Sequence, residues 1–451
     1  MGRRSHSRRL DLWMNGELVG YWTVSPRREE LQYAQSWLVS PRSRPVSLSL
    51  PFQPGNAPHR GPRVRAYFEN LLPDARNIRE RLARRFNAGS TNAFDLLAQI
   101  GRDCVGALQL VPAGSDPGDV RRIAGDRLAE RDVERELALA TSATAPLGAV
   151  DAGQALRISI AGAQEKTALL RHDGCWMRPR GPTLTTHILK LPLGLVGHLK
   201  LNMRDSVQNE WLCMQLLAAY GLPVAACEIA QFGEQVTLVV ERFDRRLAPQ
   251  GDWILRLPQE DMCQATGTPP LRKYENDGGP GMDTVLGWLR TSRRAEVDRR
   301  NFFLAQLLYW LLCATDGHAK NFSIFLLPGG DFQLTPLYDV LSAYPVLGRG
   351  ANRVPKQRVK LAMAVRANNP HWRIGEIRFR HWLAVARRHG LEREFREMAE
   401  FVIERTPAVV DAVGQTLPPG FPPYVFDAIV GGLRVGVDRF AEMAAEESLV
   451  R

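Results

Sequence analysis

The chain has 451 residues, 45% of them hydrophobic and 24% charged, with a formal net charge of +11. This composition excludes a disordered or fibrous protein and predicts an ordinary folded core spread over roughly two to four domains. No apolar run approaches bilayer length, and the basic start MGRRSHSRRL lacks the apolar segment of a secretory signal, so the sequence predicts a cytoplasmic protein. The positive charge fits contact with nucleic acid or another polyanion. It fits a solvated basic surface equally well, because the arginines are spread along the whole chain. The six cysteines are scattered with no C-x-x-C pair, and several sit in apolar runs, so buried free thiols are expected rather than disulfides or a zinc site.

Residues 10–24 (LDLWMNGELVGYWTV) predict a hairpin turned at Asn15-Gly16. Residues 31–38 and 46–50 continue a small β-rich unit. Residues 65–86 have helical spacing broken at Pro73-Asp74, 94–100 form another short helix, and 105–111 return as a strand. This first unit, 1–115, carries no catalytic constellation. Residues 116–150 are polar and rich in Ala, Gly, Asp and Arg, with one helix near 128–140, and are expected as a connecting segment.

An ATP-binding lobe is expected over 151–248. In 157–170 (RISIAGAQEKTALL) strand-like residues flank a short loop, Ala161, Gly162, Ala163, Gln164, Glu165 and Lys166. Such a β-loop-β could lay backbone N–H groups over phosphates. It is neither a Walker A loop nor a G-x-G-x-x-G loop, and a plain hairpin turn explains it as well. The strand 186–191 (THILKL) ends near Lys190, and the amphipathic helix 209–220 opens at Glu210. A kinase needs that order: a strand lysine for the phosphates, then a helix glutamate to hold it. Glu210 is also what a helix dipole favours near an N-terminus. The strand 235–240 leads into Glu241-Arg242-Phe243-Asp244-Arg245, the place of a kinase hinge, and LPQEDMC at 257–263 would begin a helical lobe over 249–451. Residues 273–283 are predicted as a mobile loop. Helical spacing recurs at 379–389, 391–404, 407–413 and 425–443.

Inside that lobe, the polar octapeptide 314–321 (ATDGHAKN) lies between an apolar helical run, 302–312, and an apolar strand-like run, 322–327. Asp316 and Asn321 have the D-x-x-x-x-N spacing of the protein-kinase catalytic loop, in which the Asp takes the acceptor hydroxyl's proton and the Asn binds magnesium. Asp339 follows a short strand, where a second metal-binding Asp would sit. Magnesium takes hard oxygen donors, and one or two side chains plus ATP phosphates supply them. Either residue of the pair alone equally fits a helix cap or a turn. The ordered set (buried helix, loop, strand, turn, strand, Asp) is what points to a kinase.

The segments SIAGAQEKTALL (159–170), THILKLP (186–192), ERFDRR (241–246), LPQEDMCQ (257–264), ATDGHAKNFS (314–323) and LTPLYDVLSAYPVLG (334–348) resemble the HipA family, the serine/threonine kinase toxins of bacterial type II toxin–antitoxin pairs. WMNGELVG, SLSLP, ENLLPD and FDLLAQIGRDCVGAL are similar to that family's N-terminal region, so the resemblance runs from about residue 10 to the C-terminus. It implies an α+β, two-lobed protein-kinase-like fold with an N-terminal β-rich subdomain and an all-α C-terminal lobe. It implies ATP and Mg²⁺, with Asp316 as catalytic base and Asn321 and Asp339 as metal ligands. Lys190 becomes the phosphate-binding lysine, Glu241 and Phe243 become hinge residues that contact adenine, and Gln259 and His318 line the site. Ser159 matches the serine that the family phosphorylates on itself. Phosphate there adds about −1.5 to −2 charges beside the phosphate-covering loop and is expected to inactivate.

The resemblance also implies a HipB-type antitoxin dimer, operator DNA within the toxin–antitoxin complex, and glutamyl-tRNA synthetase as protein substrate, its phosphorylation halting growth. The arginine-rich first nine residues, 350–357 and 366–376 depart from the family pattern and bear on substrate choice and DNA contact. Two other readings stay open: a catalytically idle corepressor that only binds antitoxin and DNA, and a small-molecule kinase on a related fold.

Overall fold

The computed structural model describes residues 7–141, 158–159, 164, 166–197 and 199–449. The N-terminal unit is a five-stranded antiparallel sheet in the order His59–Arg60, Arg28–Tyr33, Glu17–Ser25, Arg8–Met14, Leu108–Pro112. Its first hairpin turns at Asn15 and Gly16, both at positive φ (48° and 85°), which is the backbone an Asn-Gly turn supplies cheaply. Helices Pro62–Glu69, Arg76–Arg85 and Ala93–Ile100 cover one face, and Trp22 stacks on Phe68 with ring centroids 3.8 Å apart. The segment 46–50, expected to extend the sheet, pairs with no strand. Its VSLSL alternation has the strand period, but side chains take three of its N–H groups and a turn takes that of Leu50. Val46 donates to the Tyr33 hydroxyl (3.0 Å), Leu48 to Glu260 Oε1 (2.8 Å) and Ser49 to Ser47 Oγ (3.1 Å).

The second sheet has six antiparallel strands in the order Cys227–Phe232, Gln235–Glu241, His187–Lys190, Lys166–His172, Cys175–Pro179, Gly125–Arg127. The last strand and the helix Glu130–Thr141 come from the stretch expected as a connection. Val133 and Leu137 pack on Leu169, Leu189 and Val239, so this stretch builds one face of the small lobe. The other face, through Leu238 and Val240, joins the helix Ser206–Ala219 in the main core. The expected hairpin around 161–166 is not formed by the described strands. Lys166–His172 already has His187–Lys190 on one edge and Cys175–Pro179 on the other, so Ile158–Ser159 pairs in parallel with Asp103–Cys104 instead.

The large lobe is built on the helices Ala295–Leu311, Phe379–Arg388, Glu392–Gly414 and Pro423–Leu449. It also carries a three-stranded sheet, Gln259–Asp261, Ser323–Leu326, Phe332–Leu334, and a hairpin Lys360–Arg366/Pro370–Arg373. The two helices expected at 391–404 and 407–413 are one. Val402, Thr406, Val409 and Val413 continue a single buried stripe past Pro407, and that burial outweighs the backbone hydrogen bond a proline removes. The loop expected to be mobile at 273–283 is tied down, because Glu275 accepts from Ala364 N (2.6 Å) and Arg366 Nε (2.8 Å). All six cysteines are free thiols, four of them buried. Among the described residues, no helix is long and apolar enough to cross a membrane.

Candidate active site

The cleft lies where the six-stranded sheet meets the large lobe. Lys190 ends a central strand, flanked by Lys166–His172 and Gln235–Glu241. Its Nζ donates to Glu210 Oε1 at 2.6 Å and to Asp339 Oδ1 at 2.8 Å. Glu210 comes from the helix Ser206–Ala219, and Asp339 from the loop after Phe332–Leu334. Asp339 sits at φ 62°, a left-handed backbone that Asp tolerates better than most residues. Burial alone would lower the lysine's pKa, but Asp339 and Glu210 hold it raised. Burial would push Asp339 up, yet Lys190 and Lys166 hold its carboxyl well below the usual range, while burial raises Glu210. The cleft therefore keeps a charged ammonium against an ionised carboxylate. Lys166, opposite Lys190 in the ladder, is lowered to about 8 by burial and by the Lys190 charge.

The loop at 314–321 follows the helix Ala295–Leu311 and is shaped by it. Gly317 lies over the Tyr309 ring, where a Cβ would come within 2.6 Å of Cδ2, so the residue after Asp316 has to be glycine. Asn321 Nδ2 donates to the Asp316 carbonyl (2.8 Å) and lies 3.5 Å from the Asp339 carbonyl, so one amide links the two acidic loops. Its carbonyl oxygen and the Asp339 carboxylate are hard oxygen donors of the kind magnesium takes. Among the described residues no cluster of three His, Cys, Asp or Glu forms a metal cage, so any cation here needs further oxygens from a ligand. The Asp316 side chain is 56% exposed. His318 Nε2 stands 3.9 Å from its Oδ2, and burial holds the imidazole pKa down.

The residues expected as a hinge lie by the start of the strand that Lys190 ends. Glu241 ends its strand opposite His187, and the Phe243 ring packs edge-on against Phe325 with centroids 5.8 Å apart. Gln259 Nε2 reaches Asp244 Oδ2 at 3.4 Å, while its Oε1 is buried without a partner, an acceptor left open beside the hinge. Gln164 donates from Nε2 to the Leu191 carbonyl (2.6 Å), which fixes that end of its loop to the lysine-bearing strand. Ala161, Gly162, Ala163 and Glu165 lie outside the described residues. The structure thus brings together Lys190, Glu210, Asp339, Asn321, Asp316 and His318, and sets Glu241, Phe243 and Gln259 apart at the hinge. The strand of Ser159 lies beside Cys104 of the N-terminal unit.

Three residues around this cleft carry no local sequence signal. The Tyr274 hydroxyl donates to Asp316 Oδ1 at 2.6 Å, and its ring meets His318 edge-on at 5.0 Å. Asp103 and Gly106, from the unit read as non-catalytic, hold the hinge. Asp103 accepts from Arg245 Nη2 (2.8 Å) and Thr185 Oγ1 (2.7 Å), and Gly106 N donates to Asp244 Oδ2 (2.7 Å). Their partners lie 82 to 142 positions away, beyond any spacing rule.

Residues 158–410 match the HipA-like C-terminal domain, and residues 10–111 match the HipA N-terminal domain. A protein of Sinorhizobium fredii, Y4mE, a kinase by name, is 36% identical over 361 residues, 78% of this chain and 82% of its own length. The serine/threonine-protein kinase toxin HipA of Shewanella oneidensis is 29% identical over 325 residues, 69% of each chain. A solved structure from Shewanella oneidensis, of a toxin–antitoxin HipA with HipB and operator DNA, aligns with a TM-score of 0.78 at 23% identity, covering 97% of this chain and 98% of that one, and shares its fold. With both domains matched in order and relatives aligned across most of its length, the chain belongs to the HipA family.

Proposed function

We propose that this protein is an ATP-dependent protein serine/threonine kinase acting as the toxin of a type II toxin–antitoxin pair. The observation that carries the reading is the meeting of Lys190, Glu210 and Asp339 within hydrogen-bond distance, with Asn321 bridging Asp339's loop to Asp316. Three elements far apart in sequence deliver the lysine, its helix partner and the cleft carboxylate that phosphoryl transfer requires. The kinase names of the relatives support the same class.

In this reading Lys190 exchanges Asp339 for ATP phosphate oxygens while Glu210 keeps its ammonium in place. Asp339 and the Asn321 amide oxygen would hold Mg²⁺, which supplies charge neutralisation at the phosphates when bound. Lys166 would face the phosphates, the expected phosphate-covering loop 161–165 lying mostly outside the described residues, and the hinge backbone at Glu241 and Phe243 would take adenine, with Gln259 Oε1 as a nearby acceptor. Asp316 accepts the proton of the acceptor hydroxyl. His318, kept neutral by burial, lines the site beside it. The residues position and stabilise charge and do little covalent chemistry, as expected for phosphoryl transfer.

Ser159 is the proposed self-acceptor, seven positions before Lys166 on the phosphate-covering segment. Its phosphorylation would add a dianion to the segment that leads into Lys166 and shut the enzyme off. The proposed protein substrate is glutamyl-tRNA synthetase. The proposed partners are a HipB-type antitoxin dimer and operator DNA, supported by the fold shared with a complex of that composition and by the +11 charge.

Intact mass after incubation with Mg·ATP tests the reading. The native chain gains one phosphate, whereas Asp316→Asn and Ser159→Ala gain none. A gain by Ser159→Ala keeps the kinase and rejects the self-acceptor. No gain in an initially unphosphorylated native chain rejects the kinase in favour of an idle corepressor.

A further inference from the structure

The N-terminal motif ENLLPD (69–74) has no part in the cleft just described, yet its last residue reaches the catalytic loop. The side chain of Asp74 is 15% exposed and lies between two ammonium groups: Oδ2 is 2.8 Å from Lys273 Nζ and Oδ1 is 3.1 Å from Lys320 Nζ. The two lysines hold its carboxyl below the ordinary range against the burial that would raise it. Lys320 is buried and also donates to the side-chain and backbone oxygens of Asn70 in the same motif, at 3.1 and 3.3 Å.

The two lysines sit on the two segments that hold Asp316. Lys320 directly precedes Asn321, whose amide fixes the Asp316 carbonyl, and Lys273 directly precedes Tyr274, whose hydroxyl fixes Asp316 Oδ1. A backbone hydrogen bond from Ala319 N to the Lys273 carbonyl (3.3 Å) joins the two segments beside this ion pair. Among the described residues, apart from Tyr274, only His318 at 3.9 Å approaches the otherwise exposed Asp316 carboxylate. One carboxylate of the N-terminal unit is therefore the shared counter-ion of both segments that orient the base. Neutralising it would leave two ammonium groups facing each other and free both segments to separate.

We propose that Asp74 is a positioning residue of the phosphotransfer reaction, acting on Asp316 through Lys320 and the Lys273–Tyr274 turn. This rests on the kinase reading of Asp316. It makes the N-terminal unit part of the catalytic machinery in addition to whatever partners it binds. The partners of Asp74 are Lys273 and Lys320 rather than Lys190, Asp339 or the hinge, so its loss is expected to slow transfer and leave nucleotide binding alone. A base displaced by about 1 Å costs on the order of 10²-fold in rate.

The test is self-phosphorylation from Mg·ATP, followed by intact mass over time at a series of ATP concentrations, on the native chain, Asp74→Asn, Tyr274→Phe and the double variant. The expected maximal rate falls about 30-fold in Asp74→Asn and about tenfold in Tyr274→Phe, with the half-saturating ATP concentration unchanged within twofold. The double variant is expected to be no more than about threefold slower than Asp74→Asn, because both substitutions release the same carboxylate. Asp74→Asn transferring within threefold of native overturns the proposal, and so does a rise in half-saturating ATP that matches the fall in rate. Should Asp74→Asn melt below the assay temperature, Lys273→Met removes one arm alone. A tenfold slower maximal rate there supports the proposal, and an unchanged rate overturns it. A native chain that gains no phosphate rejects the kinase reading, and the role of Asp74 with it; a native chain that gains phosphate beside an unaltered Asp74→Asn rejects the role alone.

Discussion

Two buried ionic clusters bracket the cleft, and they differ in what their charges are free to do. At the hinge, Arg242 grips Asp244 through Nε and Nη2, both at 3.0 Å. Arg242 and Arg245 also donate to the Cys104 carbonyl (2.9 and 2.8 Å), and Asp103 and Gly106 close the set. Most donors there are used within the protein, so few are left to bind a phosphate. In the cleft, Lys190 has two carboxylate partners, one on a rigid helix and one on a loop in left-handed backbone. A lysine shared in this way can exchange the loop carboxylate for another anion and keep the helix one. The first arrangement fixes the hinge to the N-terminal unit. The second, in the kinase reading, is the one that takes a ligand. Burial and charge pairing are common to both, so neither property alone marks a functional site.

The contrast can be broken most strongly at the hinge. Asp244→Ala leaves two buried guanidinium groups, Arg242 and Arg245, to share the Asp103 carboxylate, and a stability loss of about 3–5 kcal/mol is expected by urea titration. A loss below about 1 kcal/mol would show that the hinge cluster is not structural. A smaller effect is expected at Lys166, whose pKa is lowered to about 8 from an ordinary 10.5. Its charge is present below pH 8 and lost as pH rises through it, so ATP affinity measured by titration calorimetry is expected to fall by up to about tenfold per pH unit above 8. Lys166→Met is expected to flatten that fall.

Glu260 sharpens the contrast from the structural side. Burial raises its carboxyl to about 8, where it accepts from Leu48 N. A glutamate raised in this way retains its proton in the folded chain between the ordinary glutamate pKa, roughly 4.3, and 8, while the unfolded chain releases its own. Its contribution to stability is therefore fully present below that window and lost as pH rises through it. Glu260→Gln, with no proton to lose, is expected to gain on the native chain between pH 5 and pH 8 in thermal melts. The smallest effect belongs to the surface pair Arg76–Glu80, where Arg76→Ala is expected to cost at most about 0.5 kcal/mol.

Much of the cleft was legible in the sequence because its chemistry is local. Asp316 and Asn321 lie on one loop, and the strand-to-helix order of Lys190 and Glu210 is a matter of succession. The Asn15-Gly16 hairpin and the helix ahead of Asp316 followed from turn chemistry and apolar runs. What stayed hidden depends on distant partners. Asp74, Asp103 and Tyr274 gain their places from residues 42 to 246 positions away. The serine–leucine alternation at 46–50 misled because side chains satisfy its backbone. Pro407 misled because a buried stripe carries the helix through it. The polar stretch 116–150 gave little strand signal, and the place of its strand Gly125–Arg127 on the sheet is set by pairing with Cys175–Pro179.

The most direct test of the contrast is a thermal melt with and without Mg·ATP on the native chain, Lys190→Met and Asp244→Asn side by side. Asp244→Asn is expected to melt lower than native but to keep the upward shift on adding Mg·ATP. Lys190→Met, which leaves Glu210 and Asp339 without their shared cation, is also expected to melt below native but to lose that shift. A Lys190→Met chain that keeps the shift, or an Asp244→Asn chain that loses it without melting lower, would contradict the assignment of one cluster to the fold and the other to the ligand.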